Sequence, residues 1–206
     1  DFKGAVSITG ANIEITDVNS LILGATAASG TLTVTAGGTV TQSSLAAAKN
    51  LAITGTTTIT GTDITLDNTA NNFQGAVGVT TIGSDVVLVD AGAIVLGEST
   101  VTGTYDVTAG GAVTQLSGTA LAITGVTTID AGTNAVTLAN ASNNFQAAVG
   151  ITGAAVSVTD INDLVLGDTT TTGNYSVTAG GGITDSGVLT IGTTASTKTA
   201  SFTAGD

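Results

Sequence analysis

The same phrases return along the chain about every 70 residues. "VTAGG" stands at Val34–Gly38, Val107–Gly111 and Val177–Gly181. "LILG", "IVLG" and "LVLG" end at Gly24, Gly97 and Gly167, and "LAITG" occurs at Leu51–Gly55 and Leu121–Gly125. "ANNFQGAV" and "SNNFQAAV" carry Phe73 and Phe145 at one repeat position, and the opening "DFKGAV" places Phe2 at the same position. A chain that repeats at this length has to build its core by stacking copies of one unit, so repetition limits the fold before any residue chemistry does.

Each unit divides into short β-like runs separated by Gly, Asn, Asp or Ser, as in "SDVVLVD", "AIVLG", "TYDVTA" and "ALAITG". Several runs alternate. Ile13 and Ile15 flank Glu14, and Val156 and Val158 flank Ser157 at the same place in the third copy. The outward position changes freely through Glu14, Val87 and Ser157 while its neighbours stay apolar, which is how a half-buried strand behaves. β-Branched residues favour strands, and the absence of Pro suits a backbone whose N–H groups all enter ladders.

These features predict an all-β fold, a right-handed parallel β-helix (β-solenoid). About three repeats are expected, of about three coils each, with three strands and about 24 residues per coil. The repeats run approximately over 1–72, 73–144 and 145–206, as one continuous segment. At roughly 4.8 Å per coil the rod is on the order of 40 Å long. A string of β-sandwiches is the alternative, but the chain has no Trp, no Asn-Gly hairpin signal and no linker.

Position within the repeat assigns structural roles. Phe2, Phe73 and Phe145 are expected to plug the core. Asn72 and Asn144 precede two of them at a corner, where Asn tolerates left-handed backbone and stacked amides can bond to each other. Asp17, Asp90 and Asp160 share one position and read as Asx-type turns. Gly24, Gly97 and Gly167, and Gly38, Gly111 and Gly181, mark further corners. Tyr105 and Tyr175 share a site with Leu32.

The phrases "TDVNSLILG" and "TDINDLVLG", "GTLTVTAGGTVTQ" and "GTYDVTAGGAVTQ", "LAITGTTTI" and "LAITGVTTI", taken in this order, resemble the repeat arrays of large secreted bacterial adhesins of the filamentous haemagglutinin type, found in two-partner secretion proteins and autotransporter passengers. The resemblance covers essentially the whole chain. It implies export through a Gram-negative outer membrane, a place at the cell surface or outside the cell, and a part in cell or biofilm adhesion. It specifies a repeat type and no activity.

Charge narrows the partners. Fifteen acids and three lysines, Lys3, Lys49 and Lys198, give a net charge of −12. Such a chain cannot neutralise a phosphate backbone, so nucleic acid is excluded as a partner, and no apolar run approaches the ~20 residues of a membrane helix. A host-cell, glycan or other surface target and end-to-end self-association remain as partners. No signal peptide is expected, because the first residues already belong to a repeat. A solenoid segment that starts and stops inside a repeat is expected to belong to a longer chain or to stack as a subunit.

Chemistry is sparse. The acid pairs Asp63/Asp67, Asp85/Asp90 and Asp160/Asp163 could serve glycoside hydrolysis. Yet a recurring corner Asp is structural, and the chain lacks His, Cys and Arg. No enzyme activity, cofactor or metal is expected; "AGGGITD" is only a distant echo of a calcium-binding roll. Threonine at alternate positions in "TLTVT" and "TTTIT" suggests an ice-binding face. Against it, the later copies replace Thr33 with Asp106 and Ser176. The expected function is the structural and adhesive shaft of a large adhesin. A self-assembling extracellular filament or sheath subunit is the alternative, and a carbohydrate-active β-helix a weaker one.

Overall fold

The computed structural model describes residues 1–44, 50–192 and 197–205. Among them lie 27 short strands and no helix, arranged in two sheets of 14 and 13 strands whose pairings are parallel. The chain is the all-β parallel β-helix that its repeats predict, with the right-handed winding that parallel crossovers take.

Alternation sets the strand faces. In Ile13–Asp17 the burial runs inward, outward, inward, and Val86–Asp90 and Val156–Asp160 repeat the pattern. Inward residues stack along the axis. One file runs Leu21, Val40, Ile64, Val86, Tyr105, Thr127 and Val149, each paired with the next one turn later. Every member of that file is buried. The core is therefore a dry column one or two side chains wide, and its length grows with the number of turns.

The turn is tighter than the sequence predicts. Val86 pairs with Tyr105, and Tyr105 pairs with Thr127, so one circuit takes about 20 residues. Corners as short as Ala11 and Asn12, between Val6–Gly10 and Ile13–Asp17, account for the difference. The third side is not a separate sheet. It is an elbow at which a strand divides, as between Ile94–Leu96 and Ser99–Val101, and both halves pair with the single strand Ala76–Thr81. Gly97 is that elbow. A Cβ there would stand 3.2 Å from the Gly78 nitrogen, so the two backbones approach too closely for a side chain. Gly24 and Gly167 hold the same place in the other copies.

A repeat wound at this pitch contains about three and a half turns. The three coils per repeat are thus joined by a further half turn. Its effect is visible in the strands that end at the recurrent Asp: Ile13–Asp17 and Val156–Asp160 lie in the 13-stranded sheet, and Val86–Asp90 lies in the 14-stranded one. Successive repeats face opposite sides of the rod.

Among the described residues three core hydroxyls lack a hydrogen-bond partner: those of Thr57 and Thr127, which share a repeat position, and that of Tyr105. The Ser99 hydroxyl opposes that of Tyr105 without making a bond of good geometry. An unsatisfied buried hydroxyl costs free energy that a methyl group would not. Thr127→Val is accordingly expected to stabilise the fold by about 1 kcal/mol, read as a higher midpoint in urea with an unchanged slope.

Candidate functional site

The densest recurrent cluster of polar side chains lies at the corner where one repeat passes to the next. Asp17, Asp90 and Asp160 each close a strand, and each is 2% exposed. Oδ1 accepts the backbone N–H two residues on, from Asn19 at 2.9 Å, Gly92 at 2.6 Å and Asn162 at 2.7 Å. This is the expected Asx turn. Oδ2 does something the sequence did not suggest. It accepts the N–H of Phe2 at 2.9 Å, Phe73 at 2.6 Å and Phe145 at 2.7 Å, the phenylalanine that lies 15 or 17 residues earlier. The recurrent Phe and the recurrent Asp are two ends of one latch between adjacent turns.

Phe73 and Phe145 fill the core, each 1% exposed and paired in the sheet with Ile53 and Ile123. Phe2 departs from the expected plug. It is 46% exposed and belongs to no strand, so no partner strand covers its ring, although its N–H still reaches Asp17.

The corner asparagines are displaced by one residue from expectation. Asn72 and Asn144 begin the two-residue strands Asn72–Phe73 and Asn144–Phe145. Asn72 is exposed and Asn144 half-buried. Asn144 Oδ1 accepts a bond from Asn162 Nδ2 at 3.1 Å, the one contact of the expected amide-to-amide kind at this position. The residues that hold the corner are Asn71 and Asn143, both fully buried. Asn71 Oδ1 accepts from the Leu51 N–H at 2.9 Å and Gln42 Nε2 at 2.8 Å, and its Nδ2 donates to Gln42 Oε1 at 2.9 Å and the Leu66 carbonyl at 3.2 Å. Asn143 repeats all four bonds with Leu121, Gln115 and Leu138. Sequence reasoning missed Asn71, Asn143, Gln42 and Gln115. The available signal was that "VTQ" and "NNF" recur together in the first two copies.

Gly38, Gly111 and Gly181 lie where one corner stacks on another. A Cβ on Gly111 would meet the Ala93 nitrogen at 2.6 Å, and its N–H donates to the Gly92 carbonyl at 2.7 Å. Four of the catalytic candidates, Asp85, Asp90, Asp160 and Asp163, are occupied by backbone N–H groups in the same way. Asp85 Oδ1 accepts the Thr104 N–H at 2.7 Å, and Asp163 Oδ1 accepts the Gly182 N–H at 2.6 Å. Asp163 borders a shallow groove of about 310 Å³ with Asn144 and Asn162, which offers hydrogen-bonding groups and a single carboxylate where glycoside hydrolysis uses two. Among the described residues no three acids stand close enough together to hold a metal ion.

Burial pushes the carboxyl groups of Asp90 and Asp160 above the usual range, against the opposing pull of their N–H donors. In Asp17, on the first turn, the Asn19 and Phe2 N–H groups win and hold the carboxyl low.

Two measurements follow from the latch. Asp90→Asn replaces one acceptor oxygen with a donor and leaves a buried N–H unpaired, so it is expected to cost roughly 2 kcal/mol, visible as a lower melting temperature. For acid, the sign differs between copies. Asp90 and Asp160 bind protons more readily folded than unfolded, so on acidification from neutral pH their contribution to stability rises through their folded pKa. It is complete below the unfolded value of about 3.9. Asp17 contributes stability above that value and loses it as pH falls further. Urea midpoints measured from pH 7 to 4.5 should rise, and the double variant Asp90→Asn/Asp160→Asn should flatten that rise.

A family model described as "Repeats of unknown function (DUF5649)" matches residues 10–80, 83–152 and 153–205. No curated protein and no solved structure matches the chain.

Proposed function

We propose that this chain, which belongs to the family of repeats of unknown function (DUF5649), is the structural and adhesive shaft of a large bacterial adhesin. In this reading it is exported across a Gram-negative outer membrane and holds a binding region away from the cell surface. The observation that carries the reading is where the polar groups point. Both oxygens of each recurrent Asp, and all four hydrogen-bonding positions of Asn71 and Asn143, bind the backbone or side chains of the protein itself. The buried polar chemistry holds turn to turn and, among the described residues, leaves no convergent set of free buried acids.

Mechanical stiffness follows from the same bonds. About nine turns at about 4.8 Å each make a rod roughly 43 Å long, with an unbroken parallel ladder on two sides. Negative charge keeps neighbouring rods apart. The likeness of the repeat phrases to filamentous haemagglutinin arrays supports the placement at the cell surface. A filament-forming role is the second reading. It is favoured by the β-propensity of strands such as Val86–Asp90 and Leu21–Ala28, whose sequences suit pairing between chains.

The purified chain should show no saturable binding to glycan arrays, cultured cells or glass above a β-helix of equal length. Saturable binding to one target class would move the adhesive role into the repeats themselves. Growth of filaments with protein concentration in micrographs would favour the second reading.

A further inference from the structure

The half turn per repeat changes which repeat equivalents share a column. In a stack of whole turns Thr33 would lie in one column with its repeat equivalents Asp106 and Ser176, and a threonine face would be broken. In the structure the residue stacked on Thr33 is Thr58, and Thr35 is stacked on Thr60. Asp106 lies in the other sheet.

The resulting column on the 13-stranded sheet runs Thr16, Thr35, Thr60, Thr80 and Thr100, in register over five successive turns. All five alternate with buried neighbours and point outward. Thr33 and Thr58 form a second column beside Thr35 and Thr60, two residues away along each strand, which is about 6.8 Å. None of these seven hydroxyls makes a hydrogen bond within the described protein, whereas corner hydroxyls such as those of Ser20 and Thr102 do. Glu14 and Glu98 are the charged residues at outward positions of the second column, one at each end of it, and the Glu98 carboxylate is turned to the Ala120 N–H, which it accepts at 2.7 Å.

We infer that this face binds ice, through waters ordered between its methyl and hydroxyl groups. The patch measures about 19 Å by about 7 Å. It is thus several times smaller than the ~800 Å² that each partner of a stable protein complex buries, and a second copy would bring a further net charge of −12 to it. Of the six aromatic residues Phe73, Phe145, Tyr105 and Tyr175 are buried, and the exposed Phe2 and Phe202 lie outside the columns, at the Asp17 corner and on the strand Ala200–Thr203, so no ring stands within the columns to stack on a sugar. An ice surface asks for something else: a neutral array of small groups at a fixed repeat close to the spacing of oxygens in the lattice. The strand spacing of about 4.8 Å supplies the repeat. The ladder fixes the backbone and β-branching restricts each side chain, so little ordering entropy remains to be lost on binding. The equivalent column on the 14-stranded sheet, Thr108, Asp130, Thr152, Thr170 and Thr190, is interrupted by a carboxylate. The site therefore belongs to the first face.

Single ice crystals grown in the purified chain, watched in a nanolitre osmometer, test the inference. The expected result is faceted crystals and a gap between melting and growth temperatures that widens with protein concentration. The gap should shrink several-fold in Thr35→Tyr/Thr60→Tyr and persist in Val126→Tyr, an exposed corner substitution away from the columns. Circular dichroism checks that each variant is folded. Should the Tyr pair misfold, Thr35→Ser/Thr60→Ser, which keeps the hydroxyls and removes the methyls, is expected to give the same loss. Round crystals with no gap at millimolar protein, or a gap that folded column variants leave unchanged, would overturn the inference.

Discussion

Everything in this molecule depends on the chain passing over itself in register about every 20 residues. Register fixes which side chains meet, because a slip of one residue would turn the inward Val, Ile and Leu of a strand out to water. It also creates the problem that the polar residues solve. A ladder cannot run unbroken round a corner, and each corner leaves a backbone N–H facing the turn beside it. Asn12, Ser20, Asp85, Asp163 and Asp168 each accept such an N–H from a residue 19 or 20 positions later. Corners need acceptors, and a lysine has none to offer. The acidity of the chain follows in part from this requirement.

The latch at the repeat boundary is the same device at its most elaborate. Asp90 closes its own corner by one oxygen, on the Gly92 N–H, and joins the preceding turn by the other, on the Phe73 N–H. Asn71 brings Leu51, Gln42 and Leu66 to one point. These bonds sit beside the two buried phenylalanines and hold turns that the narrow apolar column alone would align less firmly. A stiff shaft is the mechanical result. The half turn per repeat then gives the shaft two unlike sides at any level, with each feature returning on the opposite side one repeat later.

Much of this was legible in the residues. Period-two alternation in "NIEIT" and across Val156, Ser157 and Val158 marked the strands, and the recurrence of Phe73 with Phe145 and of Asp90 with Asp160 marked a core plug and a corner. Less legible was the partnership between those two positions, because Phe73 and Asp90 are 17 residues apart and only the pitch of the winding brings them together. Asn71 was hidden by Asn72. Two adjacent identical residues give no sign of which faces inward when the strand that follows has only two residues.

Composition, repetition and alternation determined by themselves that the chain is a parallel solenoid with a thin apolar core and an acidic, hydroxyl-rich surface, since these follow from local preference and from the need to bury one face of every strand. The length of chain in each turn, and with it the half turn, was decided only in three dimensions. It depends on how tightly each corner closes and on whether an elbow such as Gly97 bends a strand or begins a new side. That choice determines whether Asp106 falls in the column of Thr33 or on the other sheet, a relation between turns that no single stretch of sequence contains.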